Sequence, residues 1–213
     1  MTEEFLILVD ENDNPIGLEE KVKCHLPDGK LHRAFTVLLF NEEGKLLLTK
    51  RSKSKMLWPG DWDGTVASHP RESETYVSSS ERRLTEEVGI NCKLDYLFKF
   101  EYHIPYKNVG SENEICGTLI GIIKNLSTIN FIKEEISEIK WISPKELESD
   151  IQKNPQVYCP WMFIALYLLP SSEKSMLNKH QIILVEWMKS EIKNTLEDSI
   201  KYHFSDNKWR LVN

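Results

Sequence analysis

The sequence has few of the features that mark secreted, membrane-spanning or nucleic-acid-binding proteins. No apolar run reaches the roughly twenty residues that a membrane-spanning helix needs, and the acidic start of the chain does not match a signal peptide. The formal net charge of -6 argues against a nucleic acid held by bulk electrostatics. The chain is also poor in cysteine, with 4 scattered residues and no Cys-x-x-Cys pair: Cys24, Cys92, Cys116 and Cys159. We therefore expect reduced thiols in a cytoplasmic protein without membrane insertion.

The remaining composition is that of a globular enzyme-sized protein. The 213 residues are 40% hydrophobic and 28% charged, which is enough for one domain with elaborations and a real core. Apolar runs of strand length alternate with few helical patterns, which predicts an α+β fold with a mixed sheet. The predicted strands cover residues 5–9, 34–40, 45–51, 62–67, 94–103, 112–124 and 138–142. We see no internal repeat and no clear linker.

Turn and helix signals fill the intervals between these strands. A turn cluster occupies residues 12–17, and the charged residues 18–26 are compatible with a helix. Ser143 and Pro144 stand in the order of a cap and a first helical residue, and Pro160 opens an apolar helix. The last predicted helix runs from about Glu173 to about Phe204. Its apolar line has a step of four, which marks one helix face: Leu184, Met188, Ile192, Leu196 and Ile200.

The stretch from 57 to 90 carries the clearest pattern. A helix is predicted over 74–88, with Ser73 as its N-cap and Gly89 ending it. The arginine, carboxylate and glycine spacing within it resembles the Nudix box, the metal and diphosphate motif of the Nudix superfamily: Glu74, Arg82, Leu84, Glu86, Glu87, Gly89 and Ile90. The default interpretation of that motif is a hydrolase of diphosphates. Arg83 stands where ordinary Nudix hydrolases carry a glutamate, so hydrolysis is weakened but not excluded.

Histidines and carboxylates nearby offer a ligand set for a divalent transition ion. His25, His32 and His69 precede or lie in the central stretch, while Glu112 and Glu114 are two apart and share a strand face. Three imidazoles and two carboxylates suit Mn²⁺ or Zn²⁺. Taken singly, each of these residues is more simply an ordinary surface or core side chain.

A basic loop, residues 50–55, lies just before Trp58-Pro59-Gly60. On an acidic protein such a loop is usually solvated. Next to a diphosphate motif it is also a candidate phosphate clamp, in which Arg51 supplies paired contacts and Lys55 a point charge. Lys21 and Arg83 are candidates to join it. Arg83 and Glu87 are one helical turn apart and share a face.

Together these blocks resemble the type I isopentenyl diphosphate isomerase family. The resemblance is ordered, covers roughly residues 5–165 and leaves the end of the chain outside. It rests on separate blocks at the family's separations: Lys21, His25, His32, Arg51, Lys55, Trp58, His69, Arg83, Glu87, Tyr102, Glu112, Glu114 and Trp161. It implies a Nudix fold over residues 1–165, followed by a C-terminal helical extension, residues 166–213, packed on the same domain.

The resemblance also implies roles. His25, His32, His69, Glu112 and Glu114 would hold a first metal, Mn²⁺ or Zn²⁺, and Glu87 a Mg²⁺ that also contacts the substrate diphosphate. The substrate-binding cations would be Lys21, Arg51, Lys55 and Arg83. Glu114 would transfer protons, while Tyr102 and Trp161 would line the hydrocarbon end, where an aromatic face stabilises a carbocation. The implied reaction converts isopentenyl to dimethylallyl diphosphate, in a monomer or homodimer.

One departure from the family lies at Ala67. The family pattern places a cysteine there, and its thiol shares the proton transfers with the glutamate. A methyl group cannot move a proton, and losing one general acid–base group costs about 10²–10⁴ in rate. Three explanations compete: an inactive isomerase that only binds diphosphates, another group in place of the thiol, or different chemistry on a similar substrate. Cys116 shares the strand face of Glu114, but we expect it to pack in the core.

The same segment also resembles isomerase-like Nudix hydrolases, which carry an aspartate and an alanine at the positions of Asp63 and Ala67. Three hypotheses follow. The first is an isomerase acting on prenyl diphosphates, and the second is a Nudix diphosphatase or other carbocation chemistry on a prenyl diphosphate. The third is a protein that binds diphosphates without turnover.

Overall fold

A computed structural model describes residues 4–124, 129–172, 175, 179–180, 187, 192–204 and 208–212. The described residues form one mixed sheet flanked by helices. The strands are β1 (Phe5–Val9), β2 (Pro15–Glu20), β3 (His32–Asn41), β4 (Leu46–Arg51), β5 (Trp62–Asp63), β6 (Val66–Ser68), β7 (Asp95–Tyr106), β8 (Gly110–Ile123), β9 (Ile136–Ile142) and β10 (Trp209–Val212). The helices are α1 (Lys21–His25), α2 (Tyr76–Val88), α3 (Pro144–Lys153), α4 (Pro160–Leu168) and α5 (Ile192–His203). The predicted α+β class is confirmed.

The centre of the sheet is the parallel pair β3 and β8, in a sheet path of β10-β7-β8-β3-β1-β2. Strand β3 reads as a continuous apolar run because both of its faces are covered. Ala34 and Leu38 face α4 and α5, while Val37 and Leu39 face α2. His32 pairs with Glu114 in this register. The parallel pairing therefore brings a histidine and a carboxylate together at one end of the sheet.

Helix α2 begins two residues later than predicted. Thr75 is the N-cap, and its side chain forms a capping box with Ser78. Ser73 is displaced from this role because the Glu74 amide turns back to the Arg71 carbonyl at 2.9 Å, which keeps the chain in a turn until Thr75. Gly89 ends the helix as predicted, with a left-handed φ of 71°. A Cβ on Gly89 would lie 2.6 Å from the Asn130 carbonyl oxygen, so the position requires glycine.

The start of the chain differs from its prediction. Residues 15–20 form strand β2, antiparallel to β1, where the sequence predicted a turn followed by a helical segment. Only the short α1 is helical in that region. Pairing with β1 satisfies the backbone of these residues, and this tertiary contact outweighs a weak helical preference.

The end of the chain is partly as predicted. Helix α5 packs on α3 and α4 and buries Ile192, Leu196 and Ile200 as predicted, and α3 and α4 begin at their predicted prolines. Leu184, Met188 and most of the predicted helix before Ile192 lie outside the described residues. Strand β10 was not predicted; it pairs with β7 and sets Trp209 opposite Tyr102. Within the described part of the chain, no helix is long and apolar enough to cross a membrane.

Candidate active site

Three histidines and a pair of glutamates converge at one end of the sheet. His25 ends α1, His32 begins β3 and His69 directly follows β6, while Glu112 and Glu114 come from β8. The imidazole centroids lie 4.8–5.5 Å apart. Ligand atoms of His25, His32, His69 and Glu114 all lie within 4.8 Å of one another. The structure thus brings together the residues that the sequence offered as a metal set.

Backbone hydrogen bonds fix the direction of two of these rings. The Nδ1 atoms of His25 and His32 each lie 2.7 Å from a carbonyl oxygen, that of Lys21 and of Lys30, so each Nδ1 donates a proton. Each Nε2 then turns a lone pair toward the glutamates when the ring is neutral. His25 Nε2 lies 3.0 Å from Glu112 Oε2. This orientation is that of metal-binding histidines.

The buried Nε2 of His32 is the clearest sign that a cation fits here. It lies 3.4 Å from Glu114 Oε1, but it makes no hydrogen bond among the described residues. An unpaired buried polar atom costs about 1–3 kcal/mol. A divalent ion between the imidazoles and carboxylates would satisfy that atom and separate the facing lone pairs. The donor set therefore fits a divalent ion with nitrogen and oxygen ligands.

The pKa values in this cluster reflect burial and mutual charge. Burial lowers the pKa of His25, but the Glu112 carboxylate outweighs burial and raises this pKa to about 9. Burial and the neighbouring His32 hold the pKa of His69 well below its ordinary value. Burial raises the pKa of Glu114, yet His32 and the hydroxyl of Tyr102 bring it below its usual range. Glu114 is therefore ionised at neutral pH.

A cavity of about 100 Å³ lies beside this cluster. Tyr102 Oη donates to Glu114 Oε2 at 2.5 Å on one side of it. Trp161 also lines the cavity, with its ring 6.0 Å from Tyr102 and 5.2 Å from Trp58. Glu114 thus lies beside two aromatic rings, Tyr102 and Trp161, in the lining of a small cavity.

Ala67 and Cys116 both line this cavity. Ala67 lies in β6 opposite Thr36 of β3. Cys116 is 1% exposed and packs in the core below Glu114, and burial raises the pKa of its thiol well above the ordinary value. The thiol is therefore protonated and a poor base at neutral pH.

Four predicted phosphate-binding cations surround the opening of the cavity: Lys21, Arg51, Lys55 and Arg83. Two acidic residues that the sequence did not suggest hold three of them. Lys21 pairs with Glu4 at 2.9 Å, Lys55 pairs with Glu135, and Arg83 Nη2 lies 3.4 Å from Glu135. Glu135 lies 80 residues from Lys55, so only the fold shows the contact.

Arg51 is turned toward the protein more than the other cations. Its Nε and Nη2 donate to the carbonyls of Trp58 and Leu57 at 3.0 and 2.9 Å, and Nη1 lies 3.4 Å from Asp63. Asp63 is 2% exposed and also accepts from Trp161 Nε1 at 2.9 Å. The sequence marked Asp63 only as a residue shared with the isomerase-like Nudix hydrolases. Its contact with Trp161 spans 98 residues and is not visible in the sequence pattern.

Glu87 lies on α2, one helical turn after Arg83. It is 5% exposed and pairs with Arg83 Nη2 at 2.6 Å. Burial raises the pKa of Glu87, and Arg83 and Lys55 counter that effect only in part. Its neighbour Glu86 is exposed and pairs with Arg82 at 3.0 Å. A buried carboxylate flanked by cations is suited to hold a divalent ion together with a phosphate.

Comparisons with known proteins agree with this geometry. Residues 30–162 match the NUDIX domain. An isopentenyl-diphosphate Delta-isomerase of Haloarcula marismortui is 39% identical over 170 residues, which are 76% of this chain and 88% of that protein. Isopentenyl-diphosphate Delta-isomerase 1 of Photorhabdus laumondii is 37% identical over 160 residues, covering 74% and 90% of the two chains.

The fold also has a solved counterpart. A crystal structure of a Deinococcus radiodurans protein superposes with a TM-score of 0.61, covering 76% of this chain and 97% of that one, at 21% identity. That likeness concerns the fold alone. The domain match and the extent of identity to the relatives establish the family: the chain belongs to the Nudix superfamily and, within it, to the isopentenyl-diphosphate Delta-isomerases.

Proposed function

We propose that the protein interconverts isopentenyl and dimethylallyl diphosphate by protonating the terminal double bond and removing a proton from the neighbouring carbon. The observation that carries this proposal is the buried Tyr102–Glu114 pair facing Trp161 across a small cavity. Glu114 sits where it can move a proton at the hydrocarbon end. Trp161 offers an electron-rich face to a cation formed there. The named activity of the relatives supports the same reaction.

The phosphate end of the substrate would lie at the cations. Lys21, Lys55 and Arg83 line the cavity and are held by carboxylates that a diphosphate can replace. Arg51 keeps most of its bonds within the protein, so we assign it a mainly structural part in that end of the site. We assign Mg²⁺ to Glu87, where it would neutralise part of the diphosphate charge.

The first metal would be Mn²⁺ or Zn²⁺, held by the histidines with Glu112 and Glu114. Bound there, it would fix the Glu114 carboxylate and tune its basicity. Glu114 keeps its hydrogen bond from Tyr102 in the apo geometry. Tyr102 stays protonated because burial and Glu114 raise its pKa well above the ordinary value, so its hydroxyl acts as a donor.

The size of the cavity limits the hydrocarbon. A cavity of about 150 Å³ holds benzene, and the space here is about 100 Å³ with part of its lining given to cations. That volume suits a five-carbon unit better than a longer prenyl chain. We therefore place longer prenyl diphosphates outside the preferred substrates.

Hydrolysis has less support from the same geometry. Arg83 occupies the position of a hydrolase carboxylate and ties Glu87 in an ion pair at 2.6 Å. Glu86 points to Arg82 at the surface. Of the three carboxylate positions that would gather hydrolytic metals, one is thus replaced and two are engaged in ion pairs.

The test is a proton NMR time course with isopentenyl diphosphate in D₂O, with Mg²⁺ and Mn²⁺ present. We expect slow appearance of dimethylallyl diphosphate with deuterium at C2 and C4. Glu114→Gln is expected to abolish exchange, whereas Glu138→Gln, a change at an exposed strand residue, should leave it intact. Release of phosphate or pyrophosphate without exchange would favour hydrolysis. Tight binding without either product would favour a protein that only binds diphosphates.

A further inference from the structure

A buried carboxylate beside the aromatic wall has no part in the proton transfers proposed above. Asp63 in β5 is 2% exposed. Its Oδ1 accepts hydrogen bonds from Trp161 Nε1 at 2.9 Å and from the Gly64 amide at 2.7 Å, and its Oδ2 lies 3.4 Å from Arg51 Nη1. Burying a carboxylate is costly unless it is paired.

The Arg51 guanidinium, which pairs with Asp63, lies next to Trp161, the ring that would face a carbocation. The Arg51 guanidinium lies 5.4 Å from the centroid of the Trp161 ring, which lines the cavity. Backbone carbonyls hold Arg51 in that place. Two positive charges at such a distance repel strongly where water is excluded. An uncompensated Arg51 would therefore oppose any cation formed against Trp161.

We propose that Asp63 is a positioning residue that orients the Trp161 indole and offsets the Arg51 charge, so that the cavity favours a positively charged hydrocarbon end. The ligand class, a diphosphate ester, rests on the proposed function. The orienting part needs only a hydrogen-bond acceptor. The electrostatic part needs the negative charge. An asparagine at position 63 keeps the hydrogen-bond acceptor and removes the negative charge.

The experiment compares two diphosphate esters of nearly equal shape in Mg²⁺ by titration calorimetry. One carries a tertiary ammonium, as the 2-(dimethylamino)ethyl ester, and the other a neutral branched alkyl group, as the 3-methylbutyl ester. An ammonium group mimics the charge of a carbocation. We expect the wild type to bind the ammonium ester at least tenfold more tightly. In Asp63→Asn we expect that preference to fall about tenfold or more, with the alkyl ester affected less than threefold.

Asp61→Asn is the matched control. It removes the same charge two residues away, from a half-buried side chain that makes no hydrogen bond to Trp161 among the described residues. Asp61 also interacts with the Arg51 charge, but without a direct ion pair, so its preference ratio should change less than threefold. A merely structural role for Asp63 would weaken both esters equally and leave the ratio unchanged. Asp63→Thr serves as a second neutral variant if thermal melting shows that the asparagine variant is unfolded.

Two outcomes overturn the proposal: a wild type with no preference for the ammonium ester, or an Asp63→Asn protein that keeps the full preference. The ratio of the affinities for the two esters is measured by binding alone and needs no turnover. A wild type that prefers the ammonium ester but exchanges no deuterium would therefore refute the proposed function and keep this inference.

Discussion

On one side of the cavity, α1, β3 and β8 bring histidines and glutamates together with their backbone partners in place. On the other side, the short strands β5 and β6 present Asp63 and Ala67. The first side has His25, His32, Glu112 and Glu114 in place, and His69, which follows β6, completes the expected metal set. The second lacks the thiol and gains a buried carboxylate. The two sides therefore differ in kind: Glu114, the proposed base, lies with metal-ligand candidates on the first side, and the residues that depart from the pattern of the resemblance lie on the second.

Removing Glu114, the proposed base on the α1, β3 and β8 side of the cavity, should have the largest effect. We expect Glu114→Gln to lower kcat by about 10³-fold or more, because the remaining side has no general base to compensate. It should also weaken binding of the first metal by about 10–100-fold or more, because a direct carboxylate ligand is lost and the loss of an outer-shell partner already costs that much. Steady-state kinetics and a Mn²⁺ titration measure the two effects. An unchanged kcat would place the base elsewhere.

The affinity of the histidine and glutamate cluster for a metal should rise steeply with pH. The pKa of His25 is raised to about 9, so below that pH a proton must leave before the ring can bind an ion. Affinity should therefore increase about tenfold per pH unit between pH 7 and 9 and then level off.

A competition titration of Co²⁺ against a coloured chelator measures this slope. The control is His103→Gln, which changes a half-buried histidine outside the cluster and should leave the slope unchanged. The same slope in His25→Gln would contradict the assignment.

The change Gly89→Ala, at the end of α2, should destabilise the helix that carries Glu87 without altering β5 or β6. Gly89→Ala forces a Cβ to 2.6 Å from a carbonyl oxygen at a φ of 71°. We expect a loss of about 1–3 kcal/mol in the free energy of unfolding. Gly17→Ala is the control, since a Cβ there meets nothing within 4 Å. Urea unfolding of both variants measures the difference, and equal stabilities would refute the close contact.

The smallest effect is expected at Glu135, which pairs with Lys55 and Arg83. Glu135→Gln should free Lys55 and remove one of the carboxylate partners of Arg83. Binding of inorganic pyrophosphate without Mg²⁺ should tighten by about two- to fivefold, the range of partly exposed ion pairs. Calorimetry with and without Mg²⁺ measures it. Glu134→Gln, at the exposed neighbour, is the control. Weaker binding in Glu135→Gln would mean that this carboxylate helps to hold the ligand.

The sequence predicted the residues on the α1, β3 and β8 side of the cavity well, and those of β5 and β6 only in outline. His25, His32, His69, Glu112 and Glu114 were found through the resemblance, and the fold gathers them at one sheet end. Helix α3 was predicted from its own cap and proline, which are local signals.

Contacts between distant segments were not predictable. Asp63 meets Trp161 and Glu135 meets Lys55 across 98 and 80 residues, and no local pattern announces either pair. Strand β2 was missed because its pairing with β1 decides its conformation, and β10 because four residues carry too little pattern to mark an edge strand. We further propose that the C-terminal segment belongs to the same domain, since α5 packs on α4 and β10 extends the sheet.

We propose that Ala67 alone separates an intact binding site from efficient isomerisation. The most direct measurement is the rate of deuterium exchange from D₂O into isopentenyl diphosphate by Ala67→Cys beside the wild type and Ala67→Ser. We predict a rise of about 10²–10⁴-fold for the cysteine variant, because a thiol returns the second acid–base group, and little change for the serine variant. A cysteine variant no faster than the wild type, with metal and diphosphate binding intact, would contradict the account.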